Sequence, residues 1–144
     1  MSDWLVMVFV ALILWGITGV TQKLATNHIS AEYSFVWFAA AFVPIAMLVV
    51  LAEGSVAVLH SPRIIVLASV GGLLNGLGAL TSFMALERDG RASVVIPMVA
   101  LYPLVTVVVA YLFVGERVTA QQWVGVFMAV GAGVLLSRET ENRP

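Results

Sequence analysis

The chain has 144 residues, 61% of them hydrophobic and only 10% charged, with a formal net charge of −1. A soluble domain carries about 25% charged residues, so this composition and the mean hydropathy of +1.04 exclude that class and give no pull toward nucleic acid. With no cysteine, disulfides and thiolate metal sites are excluded as well.

The first apolar stretch covers residues 4–20. Asp3 stands where a leader peptide would carry a cation, and no small-residue cleavage site follows, so the stretch is expected to stay in place as a first membrane helix. Trp4 suits the headgroup level. Trp15, Thr18, Gly19 and Gln22 fall on one face at i, i+3, i+4 and i+7, a face more polar than the rest. Lys23 closes the stretch, where it can snorkel. After a polar loop, Ser30 is placed as N-cap of the second helix, with Glu32 in the favourable first turn. The second apolar stretch, residues 33–52, is aromatic at its start (Tyr33, Phe35, Trp37, Phe38), and Pro44 is expected to kink it.

A second loop covers residues 53–63. Ser61 and Pro62 fit the N-cap and first helical position of the third span. This span, residues 64–86, carries Gly71, Asn75, Gly78 and Ser82 on one face. Glycines there permit close backbone approach, and an amide near mid-membrane needs a partner. A tight charged turn, residues 87–91, leads to the fourth stretch, residues 92–114. Pro97 and Pro103 each remove a backbone donor, leaving the carbonyls near Ser93 and Val99 without their usual helical partners. Tyr102 and Thr106 are the polar side chains nearby. Gly115, Glu116 and Arg117 form a short turn, with a local ion pair expected between the two charges. Thr119 and Gln122 then fit a capping box. The fifth helix, about residues 120–136, shows Gly125, Ala129 and Gly133 at four-residue spacing, and residues 138–144 form a polar tail.

These elements predict an all-α integral membrane protein, a bundle of five transmembrane helices with a kinked fourth helix. The domain reading is one unit over residues 1–137, followed by the tail. Five spans put the two ends on opposite sides. Arg63 and Arg117 lie on the side of the N-terminus, and Lys23, Arg88, Arg91, Arg138 and Arg143 on the other. The excess of basic residues on one side favours N-terminus out and C-terminus in, in the plasma (cell inner) membrane.

Several segments match one family pattern: Leu14-Trp15-Gly16 with Lys23, Asn75-Gly76, Ala92-Ser93-Val94-Val95 through Ala100-Leu101-Tyr102-Pro103-Leu104, Gly115-Glu116-Arg117-Val118-Thr119, and Gly131-Ala132-Gly133-Val134. The sequence resembles an EamA-type unit of the drug/metabolite transporter superfamily. That resemblance implies ten-helix relatives built from two inverted five-helix units, of which this chain holds one. A single unit would pair with another copy or a sister chain to rebuild the cavity. The fifth helix also resembles the last helix of small multidrug resistance proteins, which dimerise through a similar glycine ridge. Trp37 stands where many EamA units carry arginine. Residues 4–22 lack the membrane acid of the small multidrug resistance proteins, so proton exchange is not implied.

The candidate substrate-binding residues are therefore Trp15, Thr18, Gln22, Asn75, Ser93, Tyr102 and Thr106, with Pro97 and Pro103 as hinges. For the threonines the plain alternative is a hydroxyl bonded to its own backbone; for Asn75 it is an interhelical hydrogen bond. Gly125, Ala129 and Gly133 are expected to pack helices, with a dimer interface preferred. No catalytic set, cofactor or metal site is expected. The partners are a small-molecule substrate, membrane lipid and a second copy, antiparallel or not, or a sister chain. The leading functional reading is a half-size secondary transporter working by alternating access. Its rivals are a membrane scaffold without transport and a flippase of a lipid-linked substrate.

Overall fold

The computed structural model describes residues 3–53 and 61–141, the last five by their backbone alone. Among them there is no strand. Seven α-helical segments follow in order: α1 (Asp3–Thr26), α2 (Ala31–Ala40), α3 (Phe42–Glu53), α4 (Pro62–Glu87), α5 (Ala92–Val99), α6 (Tyr102–Val109) and α7 (Ala120–Glu141), with a π-helical stretch (Ala110–Val114) after α6. They make four apolar spans, Asp3–Thr26, Ala31–Glu53, Pro62–Glu87 and Ala92–Val114, and a shorter apolar helix, Ala120–Leu136. At about 1.5 Å per residue even the 23-residue spans outreach a hydrocarbon core of about 30 Å. The protein is an all-helical membrane protein.

By internal contacts the chain divides into two compact units, residues 1–89 and 90–144. In the first, α1, α2 and α4 pack on one another, and α3 touches α2. The core lies at one end: Gly19, Gln22 and Thr26 of α1, Ala31 and Ser34 of α2, and Ser82, Phe83 and Leu86 of α4 are buried. Phe38 meets Phe83 edge to face at 5.6 Å and Phe42 at 5.0 Å. Lipid tails are as apolar as Leu, so this packing is held by dispersion and hydrogen bonding rather than by escape from water. The Lys23 ammonium donates to the Leu86 carbonyl at 2.8 Å. It therefore caps the last turn of α4, where a cation also meets the negative end of the helix dipole. The sequence expectation of a snorkelling lysine gives way to an interhelical one, because the wholly buried Leu86 brings an orphan carbonyl within its reach.

The helix termini follow the local sequence. The Ser30 hydroxyl accepts from the Tyr33 N–H at 3.4 Å. Pro62 opens α4, although Ser61 makes no side-chain cap bond. Between α2 and α3 the ladder is interrupted at Ala41, whose N–H donates to the carbonyls of Trp37 and Ala39. Pro44 has no N–H to offer the Ala40 carbonyl, which explains an interruption one turn before it.

In the second unit, α5 packs on α7. The Thr119 N–H donates to Gln122 Oε1 at 2.7 Å, and the Gln122 N–H donates to the Thr119 hydroxyl at 3.3 Å. That is the expected capping box, and it starts α7. The prolines of the fourth span give a rewired ladder at Ala100–Leu101: the Leu101 N–H donates to the Met98 carbonyl at 3.1 Å and the Leu104 N–H to the Leu101 carbonyl at 2.9 Å, each three residues back rather than four. Ala100 and Leu101 keep right-handed backbone angles, so what is observed there is a change of hydrogen-bond partners; the expected kink of this helix is not shown. The span ends at Gly115, whose φ of +74° belongs to the left-handed region, and the Glu116 N–H closes the π stretch on the Ala110 carbonyl at 3.2 Å.

Replacing Lys23 by Met keeps the aliphatic stem and removes the cap. A hydrogen bond from a charged donor contributes about 1.5–3 kcal/mol, so the midpoint of denaturant unfolding in detergent is expected to fall accordingly. An unchanged midpoint contradicts the interhelical role.

Candidate functional site

The polar face expected on α1 runs from open to closed. Trp15 is 62% exposed. Thr18 is half-buried, and its hydroxyl donates to the Leu14 carbonyl at 2.9 Å. Gln22, at 9% exposed, lies in the packed end of the first unit. On α4, Asn75 is exposed, and a Cβ added at Gly71, Gly72 or Gly78 would meet nothing within 4 Å. Gly76, by contrast, faces the Phe35 ring at 3.9 Å.

In the second unit Ser93, Tyr102 and Thr106 are all exposed, Tyr102 by 65%. The Thr106 hydroxyl donates to the Tyr102 carbonyl at 3.5 Å. Pro97 is half-buried inside α5, and Pro103 lies in the first turn of α6. The three small residues of α7 have different surroundings. Gly133 is buried, and a Cβ there would overlap the Leu101 side chain; Ala129 is half-buried; Gly125 has no atom within 4 Å of an added Cβ.

Gly125 instead borders a groove of about 330 Å³, floored by apolar residues of α6 and α7 and edged by Glu116, Arg117 and Gln122. The expected ion pair between Glu116 and Arg117 is not formed, and neither charge is paired with another described residue. One further polar group was not flagged by the sequence: the Ser34 hydroxyl is buried without a hydrogen-bond partner. A lone serine in an aromatic and aliphatic helix was the available signal. Ser82, expected on one face with Gly71, Asn75 and Gly78, is buried while those three are exposed.

The threonine hydroxyls are thus satisfied by their own helices. The side chains left open are Trp15 and Asn75 in one unit and Ser93 and Tyr102 in the other. Of the most apolar window of each long span, 6% of the residues are buried in α1 and none in the other three. Exposure in the single chain therefore does not sort lipid-facing positions from those facing a further helix.

A family model described as the EamA-like transporter family matches residues 2–138. The chain belongs to the EamA-like transporter family. It is an integral membrane protein and a membrane transporter of the drug/metabolite type; EamA members are transporters rather than enzymes. An uncharacterized protein of Methanocaldococcus jannaschii is 29% identical over 104 residues, which cover 72% of this chain and 75% of that one. No solved structure matches the chain.

Because Gly133 packs on Leu101 while Gly125 faces open space, the two glycines are expected to respond oppositely. Gly133→Val should lower stability by about 1–3 kcal/mol through overpacking. Gly125→Ala should hold or raise it, by up to about 1 kcal/mol of helix propensity. Parallel unfolding curves in detergent check this, and equal losses at both positions contradict the packing described.

Proposed function

We propose that this EamA protein is a subunit of a secondary transporter. Two copies, or this chain and a sister chain, associate to enclose a cavity near the bilayer midplane. A small metabolite or amphipathic compound then moves through it by alternating access. The observation that carries the reading is the exposed Asn75 carboxamide in the middle of an apolar span. Leaving an amide unbonded in hydrocarbon costs about 2–7 kcal/mol. A wetted cavity or a second bundle relieves that penalty, and plain lipid does not. The open glycines at Gly71 and Gly78 leave room beside Asn75 for either. The archaeal relative, nearly the same length by its coverage, supports a subunit of this size. Tyr102, beside Pro103 in the fourth span, is the proposed substrate contact of the second unit, with the prolines as hinge.

The orientation proposed is N-terminus out and C-terminus in, supported by two basic residues on one side against five on the other. A reporter fused after Pro144 and read on both sides of the membrane is expected to be one-sided, which favours a parallel pair. Signal from both sides contradicts that and favours antiparallel copies.

Proteoliposomes loaded with a mixture of labelled metabolites and amphipathic amines are expected to show protein-dependent flux. Asn75→Leu and Tyr102→Ala should each reduce it tenfold or more with fold and oligomeric state intact. A scaffold gives no protein-dependent flux, and a flippase moves labelled lipid but not the soluble compounds.

A further inference from the structure

The groove of the second unit runs from Pro103, near the middle of the fourth span, to the turn at that span's end. Its mouth is the turn between two apolar spans, where Glu116 and Arg117 sit, and its floor is the apolar surface of Leu104, Val107 and Val126. At the same end Tyr111 meets Trp123 edge to face at 6.2 Å. Tyr and Trp rings of this kind concentrate at the headgroup level of a bilayer. The mouth therefore opens where lipid headgroups lie, and the floor continues toward the acyl chains.

The charges at the mouth are available. Glu116 and Arg117 are exposed and carry no ion pair with any described residue. Gln122 spends its Oε1 on the N–H and hydroxyl of Thr119, which leaves its amide N–H groups as donors. Two donor groups, one of them a guanidinium, suit a phosphate, and a carboxylate beside them suits an ammonium. At about 330 Å³ the groove lies at the small end of ligand sites, which run to about 1,000 Å³. It has room for the headgroup-proximal part of one lipid, not for a whole large amphiphile.

We infer that this groove is a lipid site that holds one phospholipid with a zwitterionic, primary-ammonium headgroup. Arg117 and Gln122 take the phosphate, Glu116 takes the ammonium, and the first part of an acyl chain lies over Leu104 and Val126. Gly125 keeps the groove open, since no atom lies within 4 Å of a Cβ placed there. Pro103, one of the proposed hinges, also lines the groove, but the lipid site does not depend on the transporter reading.

The test is native mass spectrometry of the delipidated full chain with phosphatidylethanolamine, phosphatidylglycerol and diacylglycerol at equal concentration. One phosphatidylethanolamine per chain is expected, retained at least tenfold better than the other two. Gly125→Leu should fill the groove and lower retention tenfold or more, while Gly125→Ala, a control for folding, should retain the lipid. Arg117→Gln, in an exposed turn, should weaken both phospholipids, and Glu116→Gln should erase the preference between them. Excess soluble phosphoethanolamine should leave the lipid bound. Equal retention of all three lipids overturns the inference, as does wild-type retention by Gly125→Leu. Displacement by soluble phosphoethanolamine would mark a free-phosphate site and overturns it too. Loss of oligomer in Gly125→Leu with lipid retention unchanged would assign the groove to a second copy instead.

Discussion

Hydrocarbon offers no hydrogen bonds, so each polar group of a membrane chain must find its partner within the protein or in a water-filled space. That constraint accounts for most of what this structure does. The backbone answers with helices long enough to span the bilayer. The threonines answer by bonding carbonyls three or four residues back, as Thr18, Thr21, Thr81 and Thr106 do. The end of α4 answers with a lysine from α1. The exceptions, groups that the described chain leaves without a hydrogen bond, then carry the functional argument.

Those exceptions differ in kind. Ser34 is 4% exposed and unpartnered inside the first unit, a local imperfection in a tightly packed end. Asn75, Ser93 and Tyr102 are exposed on spans that are otherwise apolar. A lipid-facing surface has no use for them, whereas a cavity shared with a second bundle does. Family membership shows a transporter; that its working interior is assembled from more than this chain is the proposal that these exposed groups support. Gly133 is committed to Leu101, so the ridge of α7 serves packing within the second unit at that position.

What the sequence revealed was what short range decides. The capping box of Thr119 and Gln122, the Ser30 cap and Pro62 at the head of α4 each involve residues within one helical turn, and local chemistry leaves few alternatives. The apolar runs announced the spans in the same way. What it hid was long-range pairing. Lys23 and Leu86 lie 63 residues apart, and no periodicity links a cation to a distant helix end. The glycine spacing of α7 announced close packing but not the partner, because a small residue receives whatever the fold brings to it. Adjacent opposite charges suggested an ion pair at Glu116 and Arg117, yet sequence neighbours in a turn need not face one another. The candidate contacts were legible as polar residues in apolar spans; whether water reaches them depends on assembly, which a single chain does not encode at those positions alone.

The most direct test of that interior uses the absence of native cysteine, which makes any introduced thiol the sole one. Asn75→Cys and Tyr102→Cys should be compared in membranes with Leu73→Cys and Val105→Cys. In the single chain Leu73, Tyr102 and Val105 are 68%, 65% and 66% exposed, so exposure alone does not distinguish the two sets. If Asn75 and Tyr102 line a wet cavity, a membrane-impermeant methanethiosulfonate should modify their cysteines at least tenfold faster than those at Leu73 and Val105. Equal rates, or no reaction at any of the four positions, would contradict the cavity and the carrier with it.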